Sequence, residues 1–302
     1  YQAKWREPVE FEYRGHRVIS MPPPSSGGLT LALMANILEG YDLAKLGWRS
    51  PAALHLMTEA SRRAFADRNY FLGDVDFVRV ARDRFLSKEY AARQRATIST
   101  ERATPSAQIR PGLGATVEGE QTTHLSVIDA RGNAVALTTT LNELFGSAVT
   151  VAGAGFLLND EMDDFTSKPG APNLFGLVQG EANAIVPEKR MLSAMTPTIV
   201  LDRAGQPMLI TGARGGPRII SAVYQILSNV VDYELSLEQA LVAPRIHHQH
   251  LPDILYYEKN GLTAEHVKAL TAMGHTVQER EGYIGAAPTI LRRAGAPDPR
   301  SQ

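Results

Sequence analysis

The chain of 302 residues contains no cysteine. That excludes disulfides, thiol nucleophiles and thiolate metal ligands; it is compatible with export without pointing to it. No apolar run approaches the ~18 residues of a membrane-spanning helix. Neither sign of charge dominates, since 31 Lys and Arg face 32 Asp and Glu. Nucleic acid and anionic membrane surfaces are therefore not the expected main partners. There is no initiator methionine and no secretory signal ahead of Tyr1-Gln2-Ala3-Lys4-Trp5, which sets the expectation that an N-terminal part of the protein lies outside this sequence. What is present is 44% hydrophobic residues, enough for a sizeable core in one large domain or two smaller ones.

The most informative stretch is Gln121-Thr122-Thr123-His124-Leu125-Ser126-Val127-Ile128-Asp129, followed after Ala130-Arg131-Gly132-Asn133 by Ala134-Val135-Ala136-Leu137-Thr138-Thr139-Thr140-Leu141-Asn142. It reads as two short strands around a Gly-Asn turn, a β-hairpin. With the turn centred near residue 131, Thr122 and Thr140 fall opposite each other. Directly opposed residues have Cβ atoms roughly 4.5–5.5 Å apart, so the two hydroxyls are neighbours. A threonine hydroxyl is a weak nucleophile unless a base lies beside it, and an N-terminal threonine carries one, its α-amine. That amine titrates near ~8, within reach of neutral pH. The alternative is that threonines recur here only because β-branched residues suit pleated sheets.

Residues 9–20 alternate around Arg14-Gly15 and predict a second hairpin. Met21-Pro22-Pro23-Pro24-Ser25-Ser26-Gly27-Gly28 reads as an extended path into a tight turn, and Leu29 to Leu38 as a buried helix. Ser50-Pro51 opens another helix, with Ala53, Leu54, Met57, Ala60, Ala64 and Phe65 on its apolar face. Residues 67–80 read as loop, 83–97 as one Arg-rich helix, and 100–121 as a flexible segment leading into Thr122. Asn159-Asp160-Glu161-Met162-Asp163-Asp164 is acidic but lacks the glycine and spacing of a calcium loop. Residues 168–180 carry Leu174, Phe175 and Leu177 in a Pro/Gly-rich setting that suggests a lid. Strands are expected at Thr198–Leu201 and Met208–Thr211. After them, Gly215 and Gly216 precede a helix, offering backbone N–H groups that could bind an anion or serve as an oxyanion hole. Ser236-Leu237-Glu238-Gln239 is a capping box. Arg245-Ile246-His247-His248-Gln249-His250 is not expected to bind metal, because neighbouring side chains on a helix or strand do not aim at one point. A strand at Ile254–Glu258, a helix at Thr263–Met273 and a strand at Thr276–Glu279 complete the pattern.

These residues resemble the γ-glutamyltranspeptidase family of N-terminal-nucleophile hydrolases. The matching motifs are Met21 to Gly28, Gln121-Thr122-Thr123-His124, Thr140-Leu141-Asn142, Leu157-Leu158-Asn159 through Met162-Asp163-Asp164-Phe165, Lys168-Pro169-Gly170 and Gly215-Gly216. The resemblance implies an α+β fold, a four-layer αββα sandwich with two stacked, mainly antiparallel sheets flanked by helices. It also implies a zymogen that cleaves itself between Gln121 and Thr122. Residues 1–121 would then end the large subunit and 122–302 would form the small one, together one structural domain. By the same resemblance, Thr122 is the nucleophile, Thr140 orients its hydroxyl, and Gly215 and Gly216 supply oxyanion N–H groups. Asn142, Glu161 and Asp164 hold the α-amino group of a γ-glutamyl substrate, and two acids facing one ammonium fits simple charge pairing. Ser193 helps hold the α-carboxylate. Two departures stand out: Ser193-Ala194 replaces a Ser-Ser pair, and Ala213-Arg214 precede the glycines where Ser-Pro is frequent. The family's carboxylate-binding arginine would lie in the N-terminal part of the large subunit, so Arg214 could compensate, redirect specificity toward another acidic acyl group, or simply point into solvent.

Three functions are weighed. The first is a γ-glutamyl hydrolase/transpeptidase acting on glutathione-like amides, with water, an amino acid or a peptide as acceptor. The second is a glutaryl- or cephalosporin-type acylase on the same fold. The third is a non-catalytic remnant that binds a partner. No cofactor or metal is called for. Location in the periplasm or medium is expected only by family analogy.

Overall fold

The computed structural model describes residues 2–109, 121–166 and 180–292. The expected lid at 168–180 lies almost wholly outside them. Strands β1 (Val9–Tyr13) and β2 (His16–Ser20) form the first hairpin, turning through Arg14 and Gly15 with φ of +53° and +77°. Helix α1 (Gly27–Leu38) follows, buried along its whole length. Gly27 and Gly28, expected in a tight turn, instead open this helix. A Cβ on either would come within 2.3 Å of Thr196 Oγ1 or 2.4 Å of the Met21 carbonyl oxygen, so the helix packs at a distance only glycine permits. After the short α2 (Leu43–Leu46), α3 (Pro51–Phe71) begins as its sequence predicts, with the Ser50 hydroxyl accepting from the Ala53 N–H.

Helices α4 (Arg82–Leu86) and α5 (Lys88–Ala96) correct the single helix expected over 83–97. Ser87 interrupts it, its side chain accepting from Tyr90 N to cap the second piece. Residues 67–71, expected as loop, are the last turns of α3. Their polar groups are met by distant partners, with Arg68 Nε donating to Ser26 Oγ at 2.8 Å and Tyr90 Oη to Asp67 at 2.6 Å. Next come the hairpin β3 (Gln121–Ile128) and β4 (Ala134–Asn142), then β5 (Thr198–Leu201), β6 (Pro207–Thr211) and α6 (Arg218–Val231). The chain closes with α7 (Leu237–Val242), β7 (Ile246–His247), β8 (Leu255–Glu258), α8 (Ala264–Ala272), β9 (Val277–Arg280) and β10 (Ile290–Leu291).

Five strands form one antiparallel sheet in the order β1-β2-β5-β6-β10. Register aligns Phe11, Val18, Val200, Leu209 and Leu291 as one cross-strand row. This row joins the core beneath α1, α3 and α6. Side chains alternate between faces of a strand, so Ile210, beside Leu209, faces away from the helices. It is nonetheless fully buried, because the β3–β4 hairpin packs over that side against β5 and β6. Helices, sheet and hairpin thus stack in three layers.

The hairpin reverses the usual pattern of apolar inside and polar outside. Thr122, His124, Ser126 and Thr138 face the sheet, whereas the cross-strand pairs Leu125–Leu137 and Val127–Val135 are exposed. Each of those four side chains is 43–54% accessible. A contiguous apolar strip of this kind marks a contact surface rather than an ordinary solvent face.

The segment expected to be flexible before Thr122 is held firmly over residues 97–109, while 110–120 lie outside the described residues. Ser106 is fully buried; its N–H donates to Asp253 at 2.8 Å, and its hydroxyl accepts from Arg62 at 2.8 Å. Arg62 also meets Glu59, Asp253 and His275. An arginine only donates, so Nδ1 of His275 accepts, its Nε2–H donates to His55, and His55 donates in turn to the Ser99 carbonyl. Accepting at Nδ1 requires His275 to be neutral. Burial pushes His275 from 6.5 down to about 3, His247 to about 3 and His124 to about 4, and His248 well below its ordinary value. The unfolded chain takes up these protons near pH 6.5 while the folded chain resists them, so stability is lost as pH falls from about 6.5 toward 4. Asp67, raised to about 6 mainly by burial, opposes this but is one group against four. The thermal midpoint is expected to fall between pH 7 and pH 4.5 by calorimetry; an unchanged or higher midpoint at pH 4.5 would contradict the neutral-histidine assignment.

Candidate active site

Thr122 and Thr140 are directly paired across the hairpin, as the period-2 pattern predicts. Register shifts between Gln121 and Thr122, so Gln121 aligns with Asn142. A bulge at this point bends the strand and re-aims its side chains. Thr122 is 8% exposed and opens, with Thr140, Leu141, Glu143, Leu144 and Arg214, onto a cavity of about 240 Å³. A threonine at the wall of a small open cavity can be reached by an acyl group.

Asn142 leaves the strand in the left-handed region at φ +73°, which asparagine tolerates better than other non-glycine residues. Its N–H donates to Thr140 Oγ1 at 2.8 Å, and its side-chain amide to the Asp160 carbonyl at 3.3 Å. Accepting this bond polarises the Thr140 O–H toward its other neighbours. The Asp160 side chain accepts from Glu143 N at 3.0 Å, joining the strand end to the acidic turn Glu161–Asp164. In that turn Glu161 and Asp164 are buried and Met162 is 60% exposed, the opposite of their hydropathies. Carboxylates are turned inward at a loop only when something there rewards the charge.

Ser193 is fixed through its backbone. Its N–H donates to the Pro24 carbonyl, and its own carbonyl accepts from the backbone and the hydroxyl of Ser26, both at 2.7 Å. It lines a separate cleft of about 360 Å³ with Ser25, Arg6 and Arg190, not the Thr122 cavity. Arg214 is exposed at the rim of the Thr122 cavity, anchored by its N–H to the Ala286 carbonyl at 3.0 Å.

Gly215 and Gly216 are buried, with φ of +129° and +58°. Among the described residues neither N–H has a hydrogen-bond acceptor, while the Gly216 carbonyl takes the Ile219 N–H at 3.0 Å. Two consecutive open N–H groups ahead of the 14-residue α6 form a place for negative charge.

His124 and Asn183 were not singled out in the sequence. His124, two residues from Thr122 on the same face, bonds Thr138 at 2.8 Å and Ser126 at 3.1 Å. Gly212 lies against its ring, and a Cβ there would be 2.2 Å from Cε1. The alternation of the strand was the signal available for His124; none pointed to Asn183. The His247–His250 run forms hydrogen bonds instead, with His247 to Ser221 and Gln249, and His248 to Asp253. Among the described residues no group of three or more His, Asp or Glu side chains is arranged to hold a metal ion.

Helices over a five-stranded antiparallel sheet, with a threonine-bearing hairpin on its far face, supply among the described residues the helix layer and the two stacked sheet layers of the α+β fold of the N-terminal-nucleophile hydrolases. A solved cephalosporin acylase from Bacillus halodurans shares it over 97% of this chain and 50% of its own, with a TM-score of 0.81 at 27% identity. The family model described as gamma-glutamyltranspeptidase matches residues 1–302, and the chain belongs to that family. The glutathione hydrolase proenzyme of Escherichia coli K12 is 47% identical over 100% of this chain and 52% of its own length. A solved acivicin-inhibited gamma-glutamyltranspeptidase is 50% identical over 56% of this chain and 89% of its own, with a TM-score of 0.54. The chain spans about half the length of the curated relatives it matches.

Proposed function

We propose that this protein is a γ-glutamyl hydrolase/transpeptidase, a glutathione hydrolase that activates itself by cleavage between Gln121 and Thr122. The observation that carries the reading is the Thr122–Thr140 pair at the wall of a cavity, with the Gly215 and Gly216 N–H groups lacking acceptors. In activation, the Thr122 hydroxyl attacks the Gln121 carbonyl, the amide becomes an ester, and water hydrolyses the ester. This leaves 1–121 as the end of the large subunit and 122–302 as the small subunit, within one structural domain. The new α-amine then takes the hydroxyl proton of Thr122 as the oxygen attacks a γ-glutamyl carbonyl. The glycine N–H groups hold the oxyanion, and the protonated amine passes its proton to the leaving amine. Water or the amine of an amino acid or peptide releases the glutamyl group.

Glu161 and Asp164, with the Asn142 amide, receive the substrate α-ammonium, and Ser193 and Arg214 serve its carboxylate. The apolar outer face of the hairpin, Leu125 and Leu137 above all, is the seat for the further large-subunit polypeptide that the family resemblance implies. No helix among the described residues is long and apolar enough to cross a membrane; a place in the periplasm or medium rests on the family resemblance alone. The acylase reading keeps a foothold in the exposed Arg214 and in a 37%-identical relative, the acylase ACY 1 proenzyme of Pseudomonas sp. SE83.

One experiment separates them. In Glu161→Gln and Asp164→Asn, each lost charge-assisted bond is worth ~1.5–3 kcal/mol. Accordingly kcat/KM for a γ-glutamyl anilide is expected to fall about 10- to 100-fold, mostly through KM, with a glutaryl anilide little affected. Equal losses on both donors would remove the ammonium role and favour the acylase.

A further inference from the structure

We propose that Asn183 is a positioning residue that sets the spacing between the two halves of the acyl-donor site, the acidic turn and the Ser193 segment. Asn183 is 1% exposed at the end of a short 3-10 turn, Glu181–Asn183. Its side-chain N–H donates to the Asp164 carbonyl at 2.7 Å, and its side-chain oxygen accepts from Leu192 N at 2.8 Å. Its own backbone is pinned by Thr166 N to its carbonyl at 2.9 Å and by its N–H to the Gly180 carbonyl at 3.3 Å. One planar amide therefore links the backbone of Asp164 to the residue immediately before Ser193.

The chemistry of the donor gives this link its meaning. The α-ammonium and α-carboxylate of a glutamyl group sit on one carbon, so their receptors must be held at one separation. Asp164 and Ser193 lie on segments 29 positions apart, and among the described residues the only backbone pairing between those segments is the isolated bridge Thr166–Ala184. The turn carrying Asp164 is fixed at its start through Asp160 by Asn142 and Glu143, and the Asn183 side chain ties its end toward Ser193. Leu192 is fully buried, and Ser193 is locked in turn onto Pro24, Ser25 and Ser26, so the amide bridges to a rigid wall. Donors with both groups profit from that spacing; a donor without the amine does not.

This inference rests on the donor-site reading above. The test uses Asn183→Asp in the full-length protein, which keeps the acceptor for Leu192 N but sets a carboxylate oxygen against the Asp164 carbonyl. KM for an L-γ-glutamyl anilide is expected to rise about 10-fold with kcat within about threefold. KM for the glutaryl anilide should move less than twofold, and cleavage before Thr122 should be complete. If Asn183→Asp does not accumulate folded, Asn183→Ala, which removes the repulsion, carries the same expectation. An equal rise on both donors, or no rise on either, would overturn the proposal. Asp164→Asn run in parallel separates the two levels. If it leaves donor preference unchanged, the donor-site reading fails; if it shifts preference while neither Asn183 variant does, only the role of Asn183 fails.

Discussion

In Thr122→Ala, the polypeptide is expected to stay in one piece and γ-glutamyl hydrolysis to fall at least ~10³-fold, to the residual level left by binding and oxyanion contacts. In the proposed mechanism the same oxygen attacks the Gln121 carbonyl during activation and the substrate carbonyl during turnover, so a single substitution removes both. The fold should persist, because Thr122 contributes one small side chain to a hairpin held by eight residue pairs. Thr122→Ser keeps the oxygen and is expected to be cleaved, more slowly. The measurements are a denaturing gel over days and anilide release. Fragments of the expected sizes from the alanine variant would show that another group performs the scission.

Substitution at the paired glycines has the next largest effect. Gly215→Ala and Gly216→Ala place a Cβ on residues at φ +129° and +58°, where L side chains are strained. Twisting either residue toward allowed angles re-aims its N–H. Loss of one oxyanion donor lowers kcat ~10²–10³-fold. KM should change little, since in the proposed mechanism the negative charge that these groups meet exists only after attack. A variant with kcat intact and KM raised would mean that the glycines shape ground-state binding instead.

The parts legible in the sequence are those governed by local rules. The Thr122–Thr140 pairing follows from strand alternation around Gly132-Asn133, and the start of α3 from Ser50-Pro51. The illegible parts depend on partners far along the chain. Residues 67–71 stay helical because Ser26 and Tyr90 meet Arg68 and Asp67. Residues 97–109 are fixed because Asp253 and His275 join Arg62 beneath them. By composition the turn at 159–164 is simply acidic, yet it buries Glu161 and Asp164 and exposes Met162. Asn183 sits in no motif at all, and only the positions of Asp164 and Leu192 reveal it. The outward leucines and valines of the hairpin obey strand periodicity but invert its polarity, which alternation alone cannot assign to a face.

The central claim is that scission before residue 122 frees the amine that activates the hydroxyl of the same residue. Intact mass combined with N-terminal sequencing of the purified full-length protein tests it most directly. The expected result is two fragments, one of them beginning Thr-Thr-His-Leu-Ser. A single uncut chain with full activity, or a fragment beginning at any other residue, would contradict it.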